Sequence, residues 1–175
     1  MIIKNGLLLN EDFDFVKKDI SFQVKITDID TDLCGEPAID ASECYVVPGL
    51  VDTHMHGAVG QCFLDFTSDS SIGTGMPDGD FIVNGSKITV TDKKTFTEDG
   101  TISGGTTVLL DGVKNLVSIG IPLEKAIKMA SKNGAVAAGI YDRVGSLTVG
   151  KDADILILDK ELNLKKVFVN GSMIS

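Results

Sequence analysis

The sequence predicts an α+β fold that is mainly β, with strands at both ends of the chain and helices in its middle. Three observations support this fold class. Asn-Gly pairs lie between short apolar stretches, apolar residues recur at helical spacing between residues 108 and 138, and strand-like segments return from residue 145 onward. Because a type I′ turn needs positive φ at both central residues, an Asn-Gly pair in such a position favours a β-hairpin.

The Asn-Gly pairs at three places in the chain predict three hairpins. In each, two strands of a few residues would pair directly across the turn. The hairpins would join residues 2–3 to 7–9 through Asn5-Gly6, 81–83 to 88–90 through Asn84-Gly85, and 167–169 to 173–174 through Asn170-Gly171. Further strands are expected at Ser146-Leu147 and over residues 153–159.

The middle of the chain predicts helices. Thr106 or Thr107 would cap the first one, and Gly120 followed by Pro122 would end it. A second helix would begin near Pro122 and would be interrupted at Asn133-Gly134, with one more turn over residues 135–138. The apolar faces would consist of Val108, Leu109, Val113, Leu116 and Val117 in the first helix and of Leu123, Ala126, Ile127 and Ala130 in the second.

Composition narrows the classes of function. The chain has 175 residues, of which 43% are hydrophobic and 23% charged, which is typical of a globular domain. No apolar run approaches the roughly 20 residues of a membrane span, and the first residues lack the features of a secretory signal, so we expect a cytoplasmic protein and no membrane partner. The net charge of −9 would repel nucleic acid. Cys34, Cys44 and Cys62 share no metal-binding spacing and are expected to be free thiols.

One segment carries candidate chemistry. Residues 46–53 form an apolar strand that leads directly to His54 and His56, the only two histidines in the chain. On an extended strand, side chains at i and i+2 point to the same face, about 6–7 Å apart. Imidazole is the commonest metal ligand among side chains, so the pair predicts a metal site, although two polar rings at a strand end could also be structural.

The sequence of residues 48–57, PGLVDTHMHG, resembles the first barrel strand of the amidohydrolase superfamily. Residues 145–159, GSLTVGKDADILILD, are similar to the return of the same superfamily into its β-sandwich. Residues 67–79 resemble the eighth-strand motif of N-acetylglucosamine-6-phosphate deacetylases, and residues 99–105 resemble the substrate loop of that family. The last two stretches favour the deacetylases over relatives such as dihydroorotase or adenine deaminase.

The resemblance implies roles for individual residues. Asp69 would be the catalytic general base toward the attacking water and then the acid toward the leaving amine, and it would lie at the metal. His54 and His56 would bind a divalent metal, zinc or iron. Ile102, Ser103 and Gly104 would line the substrate, a sugar phosphate. Without the family, Asp69 is simply a carboxylate in a Ser-rich turn, and residues 102–104 are a Gly-rich connection.

The chain also departs from the family. A complete (β/α)₈ barrel takes roughly 250 residues, far more than residues 49–144 provide. The sequence passes from the first barrel strand to the eighth near residues 65–68, so we expect only a remnant of the barrel. The family's other metal ligands, a glutamate and two histidines, have no counterpart here, nor do the arginine and histidine that grip the phosphate, since the only arginine is Arg143. We therefore expect weak or absent metal binding and little or no deacetylation.

These observations predict an amidohydrolase-type β-sandwich from residues 1–48 and 145–175, with the barrel remnant over residues 49–144. A hairpin and two or three helices from 66–144 would pack against the sandwich. Because barrel strands without their partners leave open edges, we expect a homodimer or larger assembly. Three functions stay open: a deacetylase of amino-sugar catabolism, a fold module without catalysis, and an oligomerisation or metal-binding partner of an intact enzyme.

Overall fold

The computed structural model of the protein describes residues 1–53, 71, 73–74, 76–83 and 85–174. Within these ranges the chain is mainly β, as the sequence predicts, and its few helices follow one another between residues 109 and 137. None of these helices is long and apolar enough to cross a membrane. The helical elements are α1 (Leu109–Ser118), α2 (Leu123–Lys128), a π-helical turn (Met129–Asn133) and α3 (Gly134–Ala137).

The strands form three sheets. These strands are β1 (Ile2–Lys4), β2 (Leu7–Leu9), β3 (Phe15–Lys17), β4 (Asp19–Phe22), β5 (Ile26–Asp30), β6 (Ala38–Asp40), β7 (Tyr45–Pro48), β8 (Gly79–Val83), β9 (Ser86–Thr91), β10 (Lys94–Thr97), β11 (Ile102–Gly105), β12 (Ile155–Leu158), β13 (Leu164–Val169) and β14 (Ser172–Met173). The first sheet has the order β5-β4-β1-β6, the second β14-β13-β12-β7-β2-β3, and the third β11-β10-β9-β8.

The six-stranded sheet joins the two ends of the chain. Its strand β7 pairs antiparallel with β12 on one side and parallel with β2 on the other. A core fills the space between this sheet and the four-stranded sheet of β1, β4, β5 and β6, and in it the rings of Phe22 and Phe168 meet edge to face with centroids 5.2 Å apart. Strands from the beginning and the end of the sequence therefore share one core.

The central strands of the six-stranded sheet are buried on both faces. Val46 and Ile155 point into the core between the two sheets, whereas their neighbours Val47 and Leu156 point to a second core against the helices. Alternation of side chains along a strand explains this division. Continuous apolar runs such as Ile155–Leu158 are thus the sign of a sheet that is covered on both sides, and the helices form a third layer.

The first predicted hairpin is wrong. β1 pairs with β4 and β6, whereas β2 pairs with β3 and β7, so the chain changes sheets at Asn5-Gly6. Asn5 has a φ of 65°, and its side-chain amide donates to Asp40 Oδ1 at 2.9 Å. A side chain at Gly6 would collide with Val46, because its Cβ would lie 2.6 Å from Val46 Cγ2. The pair therefore makes a tight corner between two sheets rather than a turn within one.

The other two hairpins are confirmed. Val83 pairs with Ser86 across the second turn, and Val169 pairs with Ser172 across the third, where Asn170 has a φ of 47°. The hairpin of β8 and β9 extends through β10 and β11 into an antiparallel meander of four strands, which the sequence did not predict. Each strand of the meander pairs only with its neighbours in sequence.

The first helix is confirmed with a different start. Its N-cap is Val108 rather than Thr106 or Thr107, and the side chain of Asp111 accepts the N–H of Val108 at 3.2 Å. A carboxylate in the first turn thus provides the cap that a threonine was expected to give. At the other end the N–H groups of Gly120 and Ile121 donate to carbonyls of the last turn, with Gly120 at a φ of 95°, as the predicted glycine stop requires.

The second helix is longer than predicted. Asn133-Gly134 does not interrupt it, because α2 passes through the π-helical turn into α3 with helical dihedrals at both residues. The extra turn predicted after this pair is present as α3. The strand predicted at Ser146-Leu147 is wrong, since residues 145–154 form an irregular connection before β12. Its backbone pairs only briefly with the start of β5, where the N–H of Gly150 donates to the carbonyl of Ile26 and the N–H of Ile26 donates to the carbonyl of Lys151.

Candidate functional site

The segment that leads to His54 is fixed at three points. After β7, the N–H of Gly49 donates to the carbonyl of Asp154 at 2.8 Å, and the N–H of Val51 donates to the carbonyl of Ala130 at 2.8 Å. Ala130 belongs to the π-helical turn, where the wider spacing of hydrogen bonds releases carbonyls for other partners. The helix therefore holds the irregular segment of residues 49–53, which follows β7 and precedes His54 in the sequence.

Gly134 provides the third point. A Cβ built at this position would lie 2.5 Å from the carbonyl oxygen of Val51, so any side chain would push the segment away. Ser131, which is buried beside it, donates from Oγ to the carbonyl of Ile127 at 2.6 Å. The Asn133-Gly134 pair thus permits a close approach of two backbones, where the sequence suggested a helix end.

Thr53 lies directly before His54. Its Oγ1 is buried and has no hydrogen-bond partner in the part of the chain that the structure describes. His54 and His56 themselves lie outside the described residues, and so does Asp69. The prediction that these three residues bind a metal stays a prediction. Among residues 1–53, 71, 73–74, 76–83 and 85–174 there is no group of three histidine, cysteine or carboxylate side chains that could hold a metal ion.

A second anchor lies two residues after Asp69. The N–H of Ser71 donates to the carbonyl of Gly105 at 2.8 Å, and its hydroxyl pairs with the hydroxyl of Thr95 at 2.5 Å. Ser71 is 8% exposed and Thr95 is fully buried. Gly73 packs against the same pair, since a Cβ there would lie 2.3 Å from Thr95 Oγ1. The meander thereby fixes the chain at Ser71 and Gly73, within the stretch that resembles the eighth-strand motif.

The three predicted substrate residues lie on a strand. Ile102, Ser103 and Gly104 belong to β11, so the loop expected from the family is limited to the turn before it. Gly104 is opposite Thr95 and buried, whereas Ile102 is opposite Phe96 and 58% exposed, because the pairing shifts at a bulge between Thr95 and Phe96. The end of this stretch at Gly104, rather than Ile102, is next to the Ser71 anchor.

The segment of residues 145–154 ties the helical layer to the sandwich. Asp152 is buried, and its carboxylate accepts from Arg143 at 2.8 and 3.2 Å and from Lys25 at 3.1 Å. These bonds, above all those of Arg143, hold the pKa of the Asp152 carboxyl below its usual range. The only arginine of the chain is therefore committed to a structural ion cluster.

Sequence reasoning missed two parts of this arrangement. The alternation of Thr95, Phe96 and Thr97 between two turns is a strand signal that could have revealed β10 and the buried Thr95 hydroxyl. Nothing in the sequence marks the π-helical turn, because its residues have ordinary helix propensities and it depends on the approach of Val51. Cys34 and Cys44 are free thiols as expected, and Cys62 lies outside the described residues.

Known proteins with similar sequences bear the names of deacetylases. An N-acetylglucosamine-6-phosphate deacetylase of Vibrio furnissii is 31% identical over 131 residues, which cover 74% of this chain and 32% of that protein. An N-acetylgalactosamine-6-phosphate deacetylase of Escherichia coli O157:H7 is 30% identical over 109 residues, or 62% of this chain and 29% of that protein. The chain thus spans about a third of the length of these relatives.

A solved structure supports the same relationship. The crystal structure of N-acetylglucosamine-6-phosphate deacetylase from Pasteurella multocida aligns with 62% of this chain and 29% of that chain, at a TM-score of 0.55 and 29% identity. The sequence model of the amidohydrolase family matches residues 84–174, just over half of the chain. This match includes the meander strands from β9, the helical layer and the last strands of the sandwich. The chain therefore belongs to the amidohydrolase family.

Proposed function

We propose that this chain is a shortened form of a hydrolase that converts N-acetylglucosamine 6-phosphate to glucosamine 6-phosphate and acetate, and that it has little or no turnover by itself. The observation that carries the proposal is the anchoring of the segment before His54 to Ala130 and Gly134. Such a frame serves to present ligands at the end of a strand, where barrel enzymes place their chemistry. Similarity to proteins named as deacetylases supports a sugar phosphate as the substrate class.

His54, His56 and Asp69 would hold the metal ion, and two imidazoles with one carboxylate are a donor set that suits zinc or iron(II). When bound, such an ion lowers the pKa of a coordinated water toward neutrality. Asp69 would take a proton from the attacking water and return it to the leaving amine, because a carboxylate is a sufficient base once the pKa of the water is lowered. Ile102, Ser103 and Gly104 would line the substrate through their backbone groups and the Ser103 hydroxyl.

Two features support low activity. The three donors are the minimum protein set for a catalytic zinc site, and the family's further glutamate and histidines have no counterpart in a chain with only two histidines. Arg143, which could otherwise meet a phosphate, is bound to Asp152. We therefore expect a weakly bound divalent ion and acetate release near the background.

Acetate release tests the proposal. The purified protein would be incubated with N-acetylglucosamine 6-phosphate and added zinc or iron(II), with Asp69→Asn as the matched control. We expect at most a trace of acetate, and none from the control. Turnover at the rate of ordinary enzymes would contradict the low activity, and a trace that is equal in both proteins would contradict the role of Asp69.

A second candidate function is a non-catalytic module that assembles with another copy of this chain or with an intact enzyme. The exposed side chains of Ile82 on β8 and Ile102 on β11, the two edge strands of the meander, favour it because open edges invite pairing. We propose a cytoplasmic homodimer. Size-exclusion chromatography with light scattering should give twice the mass of 18.5 kDa, and a clean monomer would overturn the homodimer.

A further inference from the structure

Three lysines gather around the aromatic rings of Phe13 and Tyr141 beside the helical layer. Lys128 and Lys132 are one helical turn apart, and their Nζ atoms lie 5.6 and 5.9 Å from the centroid of the Phe13 ring. The Nζ of Lys132 also lies 5.0 Å from the centroid of Tyr141, and that of Lys151 lies 3.4 Å from it. Tyr141 thus lies between two ammonium groups.

The three lysines differ in whether their ammonium groups already have protein partners. Lys151 is buried and donates to the carbonyls of Tyr141 and Val144 at 2.5 and 3.3 Å, so it holds the backbone of the tyrosine in place. Lys132 is half-buried and Lys128 is exposed. Neither Lys128 nor Lys132 forms an ion pair with a carboxylate of the described residues. Their ammonium groups therefore keep donors for a ligand.

The hydroxyl of Tyr141 belongs to the same group of donors. Burial raises the pKa of Tyr141, but hydrogen bonds to Ser146 and Lys132 and the charge of Lys151 outweigh it, so the pKa lies below its ordinary value. Ser146 in turn pairs with Thr148 through their hydroxyls at 3.0 Å. A phenol whose pKa is lowered by cations is a strong donor to an anion.

The concentration of positive charge is unusual for this chain, whose net charge is −9. Two lysines at i and i+4 repel each other, and the charge of Lys132 also opposes that of Lys151, on which the carboxylates of Asp142 and Glu11 act in the opposite sense. An anion with several oxygens would relieve this repulsion and would accept from both ammonium groups and the phenol at once. A phosphate group has the charge and the number of acceptors that such a site needs.

We propose that Lys128, Lys132 and the hydroxyl of Tyr141 form a binding site for a phosphate group, with Lys151 as the residue that positions the tyrosine. The ligand is a free phosphate ion or the end of a small phosphomonoester. The site is independent of the deacetylase function, since it contains none of the residues assigned to that reaction. Phe13 forms its apolar side.

Binding of inorganic phosphate would be measured by thermal unfolding and by equilibrium dialysis, against sodium chloride at equal ionic strength. We expect phosphate, but not chloride, to raise the unfolding temperature, and Lys132→Gln to weaken phosphate binding about tenfold or more. Lys114→Gln is the matched control, because Lys114 is also a half-buried helical lysine and its ammonium group donates to Asn163, outside the proposed site. Equal effects of both salts, or equal affinities of both variants, would overturn the site.

Tyrosine absorbance gives a second readout that does not depend on the stability of the lysine variant. The chain has two tyrosines and no tryptophan, so Tyr45→Phe leaves Tyr141 as the single phenol. Bound phosphate should raise the pH at which the phenolate of Tyr141 appears, and Tyr141→Phe should weaken binding severalfold. An unchanged titration would contradict the proposal. Tighter binding of glycerol 1-phosphate than of inorganic phosphate would assign the site to monoesters, and the reverse to the free ion.

Discussion

The sandwich with its helical layer and the meander of β8–β11 are built in opposite ways. In the sandwich, β7 pairs with β2 and β12, which are far apart in the sequence, and two cores cover the same sheet. In the meander each strand pairs with the next, and its apolar side chains are divided between buried Ile88 and Val90 and exposed Ile82 and Ile102. The sandwich therefore depends on contacts between distant segments, and the meander on local turns.

The sandwich and the meander each fix one segment next to a candidate metal ligand. The segment before His54 is fixed by the sandwich and the helices, whereas the segment after Asp69 is fixed by the meander through Ser71. One half of the predicted site is therefore next to the sandwich, which has two cores, and the other half is next to the locally paired meander. Changes in the sandwich should affect the whole chain, and changes in the meander should act locally.

The two confirmed Asn-Gly turns give the largest contrast. Gly171 has a φ of 73° and a Cβ there would lie 1.5 Å from the carbonyl oxygen of Gln23, whereas a Cβ at Gly85 would meet nothing within 4 Å. Gly171→Ala should lower the free energy of unfolding by about 3 kcal/mol or more through overpacking and backbone strain. Gly85→Ala should cost only about 1 kcal/mol. Urea unfolding would measure both, and equal losses would contradict the contrast.

Asp152 in the sandwich and Asp80 in the meander should differ in their contribution to the free energy of unfolding. Asp152→Asn should lower the free energy of unfolding by about 2 kcal/mol at neutral pH, because the buried group loses charge-assisted bonds to Arg143 and Lys25. Asp80→Asn, which breaks the exposed pair with Lys87 in the meander, should have no measurable effect. Chemical unfolding of both variants would check this. A larger loss of unfolding free energy for Asp80→Asn would contradict the greater contribution of Asp152.

Asp152 also predicts the acid response. Its folded pKa is below the value of about 3.9 expected for the unfolded chain, so its contribution is complete above that pH and is lost as the pH falls through the lower folded value. The free energy of unfolding of the unaltered protein should thus fall more steeply with acid than that of Asp152→Asn. Parallel curves for the two proteins would exclude Asp152 as a source of this dependence.

A smaller and local effect is expected at the Ser71 anchor of the meander. Thr95→Val removes the hydroxyl that pairs with Ser71 at 2.5 Å and should cost about 1 kcal/mol, while Thr95→Ser should restore most of it. Hydrogen exchange should show faster exchange of amides in β10 and β11, with the sandwich unchanged. Faster exchange throughout the protein would mean that the two regions unfold together.

The sequence predicted the elements better than their partners. Local signals identified the hairpin at Asn170-Gly171 because both residues of its turn need positive φ and the strands beside it are adjacent in sequence. The same dipeptide at Asn5-Gly6 was misread, since a corner between two sheets requires the same φ at Asn5. Pairing over long distances has no local signal of its own.

The candidate site shows the same limit. The family resemblance pointed to residues 102–104, but the bulge that turns Ile102 away from Gly104 depends on the register with β10, which no sequence pattern reveals. Gly134 was read as a helix breaker, although its lack of a side chain serves the approach of Val51. Close contacts between backbones at the candidate site are therefore harder to predict than apolar cores, because such contacts leave no periodic pattern in the sequence.

We propose that this chain, a member of the amidohydrolase family, keeps part of the deacetylase frame but has too few ligands for a tightly held metal ion. Calorimetric titration with zinc, together with elemental analysis of the purified protein, tests it most directly. The account predicts weak binding that decreases further in His54→Ala, and much less than one ion per chain as purified. One tightly held ion per chain would contradict it.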